Sequence, residues 1–446
     1  MRTLMVCLVV CSVIGVASSQ LATRWYRLYG AENYETVLKD LQYSAGVLYG
    51  LTSLYQPTGD DAISLVRYTL GGALVDVRPY GFANGAQEDA FGVVPLPNGE
   101  SLVVCALSEP AWGSNGPLPE RTTIVYYPAG GYALAERRAL GVPAALTFNG
   151  ETLYIGFNTH LRQFGYHAVD PSTLTVQTTT ITGSDGYLLG IAWSPASGVV
   201  LNGWNGSATG RKGFYWQSDT FTFLDDPFGF VLHALPLESQ LVYSWGSADE
   251  AAACMFGPAG IEGDKVLLKS GGNFLYALAL SDSGNALLIR LNTETLAREW
   301  ETPLQDLYLT DWSIDAAGNV YLLRLGTLIK VRADGTIAWQ APVPVPEELV
   351  REGWWVAFSR LALVDSGRFA IGGVANDFTE SHRMRHAFVL LVALAGDTNG
   401  DGCVDDTDLV NVLFAFGSDE PNADLNDDGI VDDADLLEVL FNFGNC

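Results

Sequence analysis

From Gln20 to about Ala395 the chain is a succession of short strands and turns with little helix, and the succession repeats. Each unit has a Gly-containing turn, an alternating strand, a second strand ending in a turn, and a further strand. Examples run over 45–81, 98–141, 149–183, 284–304 and 317–340. Short strands rich in Val, Leu, Tyr and Thr, broken by Gly and Asn/Asp turns, predict an all-β region. Repetition at roughly 40–55 residues predicts radial or stacked repeats, and four strands per repeat predict a β-propeller. About eight units are counted, with seven as the alternative.

The ends of this region favour a closed ring over a sandwich. The segment 23–30, TRWYRLYG, reads like the last strand of a unit, as VDVRPYG does at 75–81. The segment 367–394 reads like a unit lacking its last strand. A first strand that completes the last blade closes the ring and hides its edges. The region resembles the secreted bacterial propeller repeats of the PQQ-like and delta-60 type, a resemblance that implies fold rather than chemistry.

The remaining residues, 396–446, hold a tandem duplicate. DTNGDGCVDDTDLVNVLFAFG from Asp397 and DLNDDGIVDDADLLEVLFNFG from Asp424 match at 14 of 21 positions at an offset of 27. Each copy opens with a twelve-residue calcium-loop pattern, which offers oxygens from alternate positions to a hard ion. In the first copy these are Asp397, Asn399, Asp401, Asp405 and Asp408, with the backbone carbonyl of Cys403. In the second they are Asp424, Asn426, Asp428, Asp432 and Asp435, with the carbonyl of Ile430. Gly402 and Gly429 stand at the sixth place, where the turn is sharp. Two Ca²⁺ ions are expected. After each loop, Leu409, Val412, Leu413 and Phe416, and Leu436, Val439, Leu440 and Phe443, fall at the i, i+3, i+4, i+7 spacings of a buried helix face. Gly417 and Gly444 end the helices.

Two loop-helix units without an entering helix resemble the dockerin family (type I-like), over roughly residues 396–446. The resemblance implies calcium-dependent attachment to a cohesin-like or other protein partner. In cohesin-binding members the middle of the helix is basic; here Leu413–Phe414 and Leu440–Phe441 stand there, with Asp406–Thr407 and Asp433–Ala434 at the tenth and eleventh loop places. Apolar residues there predict a face buried inside this protein or against a different partner. The resemblance also implies antiparallel halves, and on that packing Cys403 faces the end of the second helix, so a Cys403–Cys446 disulfide is expected.

Charge sharpens the division. The formal net charge is −27, and residues 397–446 hold 14 Asp and Glu with no Lys or Arg. Nucleic acid, whose phosphates require Lys and Arg, is excluded as a partner. Residues 1–19 have a basic start at Arg2, a short apolar run and small residues at Ala17-Ser18-Ser19, the pattern of a secretory signal. The run is too short to span a membrane, so an exported protein, extracellular or at the cell surface, is expected. Besides the tail pair, the mature chain has Cys105 and Cys254, read as buried thiols.

A catalytic signature is hard to find. His160, His167, His233, His382 and His386 form no metal-spaced cluster, and SHRMRH reads as a solvated basic turn. No G-x-S-x-G, phosphate-cradling Gly loop or H-E-x-x-H occurs. Asp311 with Asp315, or Glu299 with Glu301, are the carboxylate pairs open to glycosidase acid–base work. Trp204 and Trp354–Trp355 are candidates for sugar stacking or for propeller core, and Asn205-Gly206-Ser207 is a sequon by pattern and equally a plain turn. The sequence favours a non-catalytic interaction propeller with a calcium-dependent attachment module. The alternatives are a dockerin-tethered polysaccharide-degrading hydrolase or lyase, and a carbohydrate-binding module.

Overall fold

The structure is a computed structural model. It describes residues 21–30, 35–56, 61–81, 87–108, 120–129, 135–159, 161–181, 185–207, 210–223, 229–236, 241–247, 254–256, 261–263, 265–271, 274–281, 284–305, 308–350, 354–377, 384–420, 422–426 and 429–445. The expected export signal, His160, His382, Asp428 and Cys446 lie outside the described residues.

Eight four-stranded antiparallel sheets succeed one another along the chain, and their first strands neighbour one another around a central channel. The fold is therefore mainly β, an eight-bladed propeller. Blades 1 to 7 span 35–80, 87–140, 142–181, 186–223, 229–263, 265–304 and 309–342. Blade 8 takes its inner three strands from 354–394 and its outermost strand, Leu21–Tyr29, from the other end of the propeller sequence. That closing strand pairs antiparallel with Met384–Leu394, from Leu21 opposite Leu394 to Tyr29 opposite Ala387. This is the closure expected from TRWYRLYG.

The first three repeat units read from the sequence are blades that begin one strand late. The unit 45–81, for example, holds the second to fourth strands of blade 1, and the inner strand Glu35–Ser44 precedes it. Inner strands hide from pattern reading because seven of the eight carry a register shift; only Lys265–Gly271 of blade 6 runs without one. A bulge inserts a residue and breaks the two-residue alternation of faces.

Apolar cores lie between neighbouring blades. Tyr49, Leu51 and Leu65 of blade 1 pack on Val93, Val103 and Val125 of blade 2, and Tyr321, Leu328 and Trp339 of blade 7 pack on Phe369, Ile371 and Phe388 of blade 8. Leu38, Leu48 and Val66 of blade 1 meet Ala370, Val389 and Leu391 of blade 8, so the core continues across the ring closure. Gly373 is needed where strands crowd: a Cβ there would collide with the Ala357 carbonyl.

Around part of the channel, charged side chains tie each inner strand to the next. The Lys269 amine of blade 6 donates to the Trp312 carbonyl of blade 7. The Asp311 carboxylate accepts from Leu361 N–H of blade 8 at 2.9 Å. The Arg360 guanidinium donates to the Lys39 carbonyl of blade 1 at 2.7 Å, and Asp40 accepts from Val93 N–H of blade 2 at 2.9 Å. Cations take carbonyls and carboxylates take amides, so the signs alternate around the belt. Charge-assisted bonds of this kind contribute about 1.5–3 kcal/mol each.

Beyond blade 8 the chain forms two helices, α1 (Asp406–Ala415) and α2 (Asp433–Asn442). No helix among the described residues is long and apolar enough to cross a membrane.

Candidate functional site

Each acidic loop is held by its own carboxylates. In the first, Gly400 and Gly402 N–H groups donate to Asp397 at 2.7 and 2.8 Å. Asp401 N–H donates to Asn399 Oδ1, and Cys403 N–H to Asp401 Oδ1. Asp408, fully buried, accepts Thr398 N–H on one oxygen and Asp405 N–H on the other. Asp405 in turn accepts Thr407 N–H, completing a reciprocal cap on α1. The second loop repeats the scheme: Gly429 N–H donates to Asp424, Leu425 and Asp432 N–H donate to buried Asp435, and Asp432 caps α2. Gly402 and Gly429 have φ of 85° and 92°, the left-handed region that suits glycine at the sixth place.

The two units pack as a pseudo-symmetric pair. Val404 of the first loop bonds to Asn445 and Gly444 after α2, and Val431 of the second bonds to Gly417 and Ser418 after α1. Leu394, Val404, Val412, Ala423, Leu425, Val431 and Val439 form the shared core. Cys403 is disulfide-bonded; its expected partner Cys446 lies outside the described residues, although the preceding Asn445 pairs directly with Val404.

The helices are rotated from the expected face. Val412 and Val439 are buried and Leu409 and Leu436 partly so, but Leu413, Phe416, Leu440 and Phe443 are exposed. Asp408 and Asp435 take the inward place instead, because their carboxylates are pinned to the loop amides. The turn leaves Phe414 88% and Phe441 81% exposed. These apolar residues are not buried inside this protein, which removes one of the two readings of the missing basic residues.

The donor atoms are of the type a hard cation takes. Every side-chain candidate offers oxygen, and the buried Asp397 carboxyl is pushed up to about 7 by burial and by its neighbours Asp408 and Asp401, against the pull of two amides. A nearby cation would relieve that repulsion. No group of three or more His, Cys, Asp or Glu side chains among the described residues is close enough to share one ion; the loop carboxylates rest on backbone amides instead.

The module is docked on the propeller through residues that the sequence reading passed over. Lys330 of blade 7, buried, donates to the Gly402 carbonyl at 3.2 Å. Gly367 N–H, in a turn of blade 8, donates to the Gly400 carbonyl at 3.2 Å, and a Cβ at Gly367 would overlap the Asp397 carboxylate. Arg24 of the closing strand donates to the Leu425 carbonyl at 2.7 Å, and Arg368 reaches Asn422 at 3.4 Å. A cleft of about 570 Å³ runs between the module and the propeller beside Arg368, Thr398 and Phe414.

The other candidates have structural duties. Asp311 belongs to the channel belt, and Asp315 accepts Ala317 and Asn319 N–H groups in a turn. Glu299 pairs with Arg290 and Glu301 with Arg298. His167 is buried in blade 3 between Leu140 and Thr178. His386 is not in a loop: it lies in the strand Met384–Leu394 opposite Ala375, because the ladder with Arg368–Asp377 continues back beyond the apolar run 387–394 as far as Met384. Asn205–Ser207 likewise ends a strand rather than forming a turn. Trp204 stacks on Tyr187, with ring centroids 5.8 Å apart, and Trp355 is 59% exposed. Cys105 is a buried free thiol whose pKa burial raises; Cys254 lies in a strand of blade 5. The channel beside Lys269, Asp311 and Arg360 encloses about 450 Å³. Burial pushes the Lys269 amine below its usual value, against the pull of Asp311.

Fold and site together define a β-propeller carrying a C-terminal pair of loop-helix repeats. The chain is similar to the crystal structure of Chaetomium thermophilum Sqt1, at 12% identity over 82% of this chain and 98% of that one, with a TM-score of 0.46. It is similar to Saccharomyces cerevisiae Sqt1 at 10% identity, over 82% and 98% of the two chains, with a TM-score of 0.44. The β-propeller domain of the Trilobed protease from Pyrococcus furiosus matches at 11% identity, over 80% and 95%, with a TM-score of 0.39. No protein-family model matches the chain, and no curated protein does.

Proposed function

We propose that this is an exported, non-catalytic interaction protein: a propeller disc joined to a dockerin-like module that binds two Ca²⁺ ions and attaches to a protein partner. The observation that carries the reading is the repeated loop. Buried Asp397 and Asp408, and their counterparts Asp424 and Asp435, gather acid around a glycine turn in both copies. Ca²⁺ bound there supplies positive charge to offset these carboxylates, while the loop amides orient them. The attachment face is Leu413–Phe414 and Leu440–Phe441, exposed at matching positions of the two helices. With 14 acids and no base in residues 397–446, this face suits a partner with an apolar pocket and a basic rim. Interface aromatics of this kind carry much of a binding energy. The polysaccharide-degrading alternative draws nothing from Asp311, Asp315, Glu299 or Glu301, whose oxygens serve backbone amides and arginines.

Calorimetric titration of the metal-stripped, full-length protein with Ca²⁺ tests the reading. The expected stoichiometry is two ions per chain, and a chain that takes up no Ca²⁺ at millimolar concentration overturns it.

A further inference from the structure

Both acidic loops touch the blade that closes the ring, and they touch it at the same end, where the turn before Arg368 and the start of the closing strand lie together. The first loop rests on the turn at Gly367, between two strands of blade 8, and on Lys330 of blade 7. Its two contact carbonyls, Gly400 and Gly402, flank Asp401, one of the candidate ligands. The second loop is held by Arg24. The closing strand shifts register between Thr23 and Trp25, so Arg24 faces no partner residue in the ladder. A bulge re-aims a side chain, and here it sends the guanidinium to the Leu425 and Asp424 carbonyls, 2.7 and 3.4 Å away, at the start of the second loop.

The closing strand needs such a hold. It is the outermost strand of its sheet, bonded through its backbone to one neighbour only. Its side-chain hydrogen bonds to the flanking blades include Thr23 to the Pro344 carbonyl, Trp25 to the Leu70 carbonyl and, at the far end of the strand, Tyr29 to the Ser64 hydroxyl. Outer strands with a single ladder open most readily.

We propose that the paired loops are a cation-set clasp on ring closure. Loading the loops fixes the Leu425 and Gly402 carbonyls that Arg24 and Lys330 hold, and this keeps the Leu21–Tyr29 strand on blade 8. The proposal rests on the calcium reading of the loops. It makes the module part of the propeller's closure rather than a freely tethered appendage.

Hydrogen exchange of full-length protein in Ca²⁺ and in EGTA tests it, with calorimetry of Ca²⁺ uptake on the same samples. Ca²⁺ should slow exchange of the strand 21–29 amides by about tenfold or more, and leave Val103 and Val125 of blade 2 unchanged. Arg24→Met should exchange fast at 21–29 in both conditions while still binding Ca²⁺, and Arg24→Lys, which keeps a donor, should recover part of the protection. Equal protection in Ca²⁺ and EGTA, with Ca²⁺ bound, overturns the clasp and leaves the calcium reading standing. No uptake of Ca²⁺ overturns both, and the calorimetry tells the two failures apart.

Discussion

The buried imidazole of His167 sets a measurable acid limit on the propeller. Its side chain is fully buried in blade 3 and stacked on Phe157, with ring centroids 4.4 Å apart. Nε2 faces the Leu140 carbonyl at 2.9 Å. A carbonyl only accepts, so Nε2 carries the hydrogen and Nδ1 receives the Thr178 hydroxyl at 3.0 Å. Burial pushes the pKa from 6.5 down to about 4, only partly offset by the Leu140 bond. The folded-state value is depressed for a base, so between pH 6.5 and 4 the unfolded chain holds more protons. Stability contributed by the neutral ring is present above 6.5 and is lost as pH falls through that window. At pH 4.5 the loss is about 2.5 kcal/mol. Unfolding about 375 propeller residues cooperatively carries about 0.8 kcal/mol/K of entropy, so the loss lowers Tm by about 3 °C. His167→Gln keeps a donor for Leu140 and an acceptor for Thr178 but does not titrate. Scanning calorimetry at pH 7 and 4.5 should show the wild type falling about 3 °C further than the variant. Equal falls would refute the assignment of a neutral, trapped imidazole.

Two other expectations concern the tail. Asp408→Ala should abolish binding of the first ion, because Asp408 ends the loop and organises Thr398 and Asp405; exposed Asp406, at the first turn of α1, favours the helix through its dipole, and Asp406→Ala should leave both ions bound. Calorimetry that finds equal losses contradicts those roles. We propose that the Cys403 disulfide partner is Cys446, since Val404 and Asn445 pair side by side. Non-reducing peptide mapping should recover the linked 403 and 446 peptides, and an alkylatable Cys446 rules the bridge out.

What could be read from sequence depended on whether the signal was local. The outer three strands of the first blades, the closing strand and the duplicated loops each sit in a continuous stretch and were legible, whereas the bulged inner strands were not. The belt of Lys269, Asp311, Arg360 and Asp40 was not, since each residue sits in a different strand and the alternation of sign exists only once blades are neighbours. A charged residue within an otherwise strand-like segment was the available hint. Arg24 and Lys330 were hidden for the same reason: their partners are backbone carbonyls, which have no sequence signature. The helix faces were misread because apolar periodicity counted Leu413 and Phe416 as core, whereas the pinned carboxylate of Asp408 decides which way α1 turns. Phe414 and Phe441 stood out in the sequence, but their exposure required the structure.

Closure by the Leu21–Tyr29 strand has a consequence for how the molecule is made. During synthesis that strand leaves the ribosome before any other part of the propeller, and its partner, Met384–Leu394, is among the last. Blades 1 to 7 draw all four strands from consecutive sequence and can form by local pairing as they emerge, but blade 8 must wait for nearly the whole chain. Pairings between such distant segments are slow because the loop entropy is spent before any contact offsets it. Until then the growing disc has a gap, with apolar Leu38, Leu48 and Val66 of blade 1 uncovered on one side and the lone first strand free to pair elsewhere. Aggregation and exchange of strands between chains are the failures expected of that interval, and substitutions in residues 21–29 should lower the yield of folded protein more than substitutions of similar burial in blades 1 to 7.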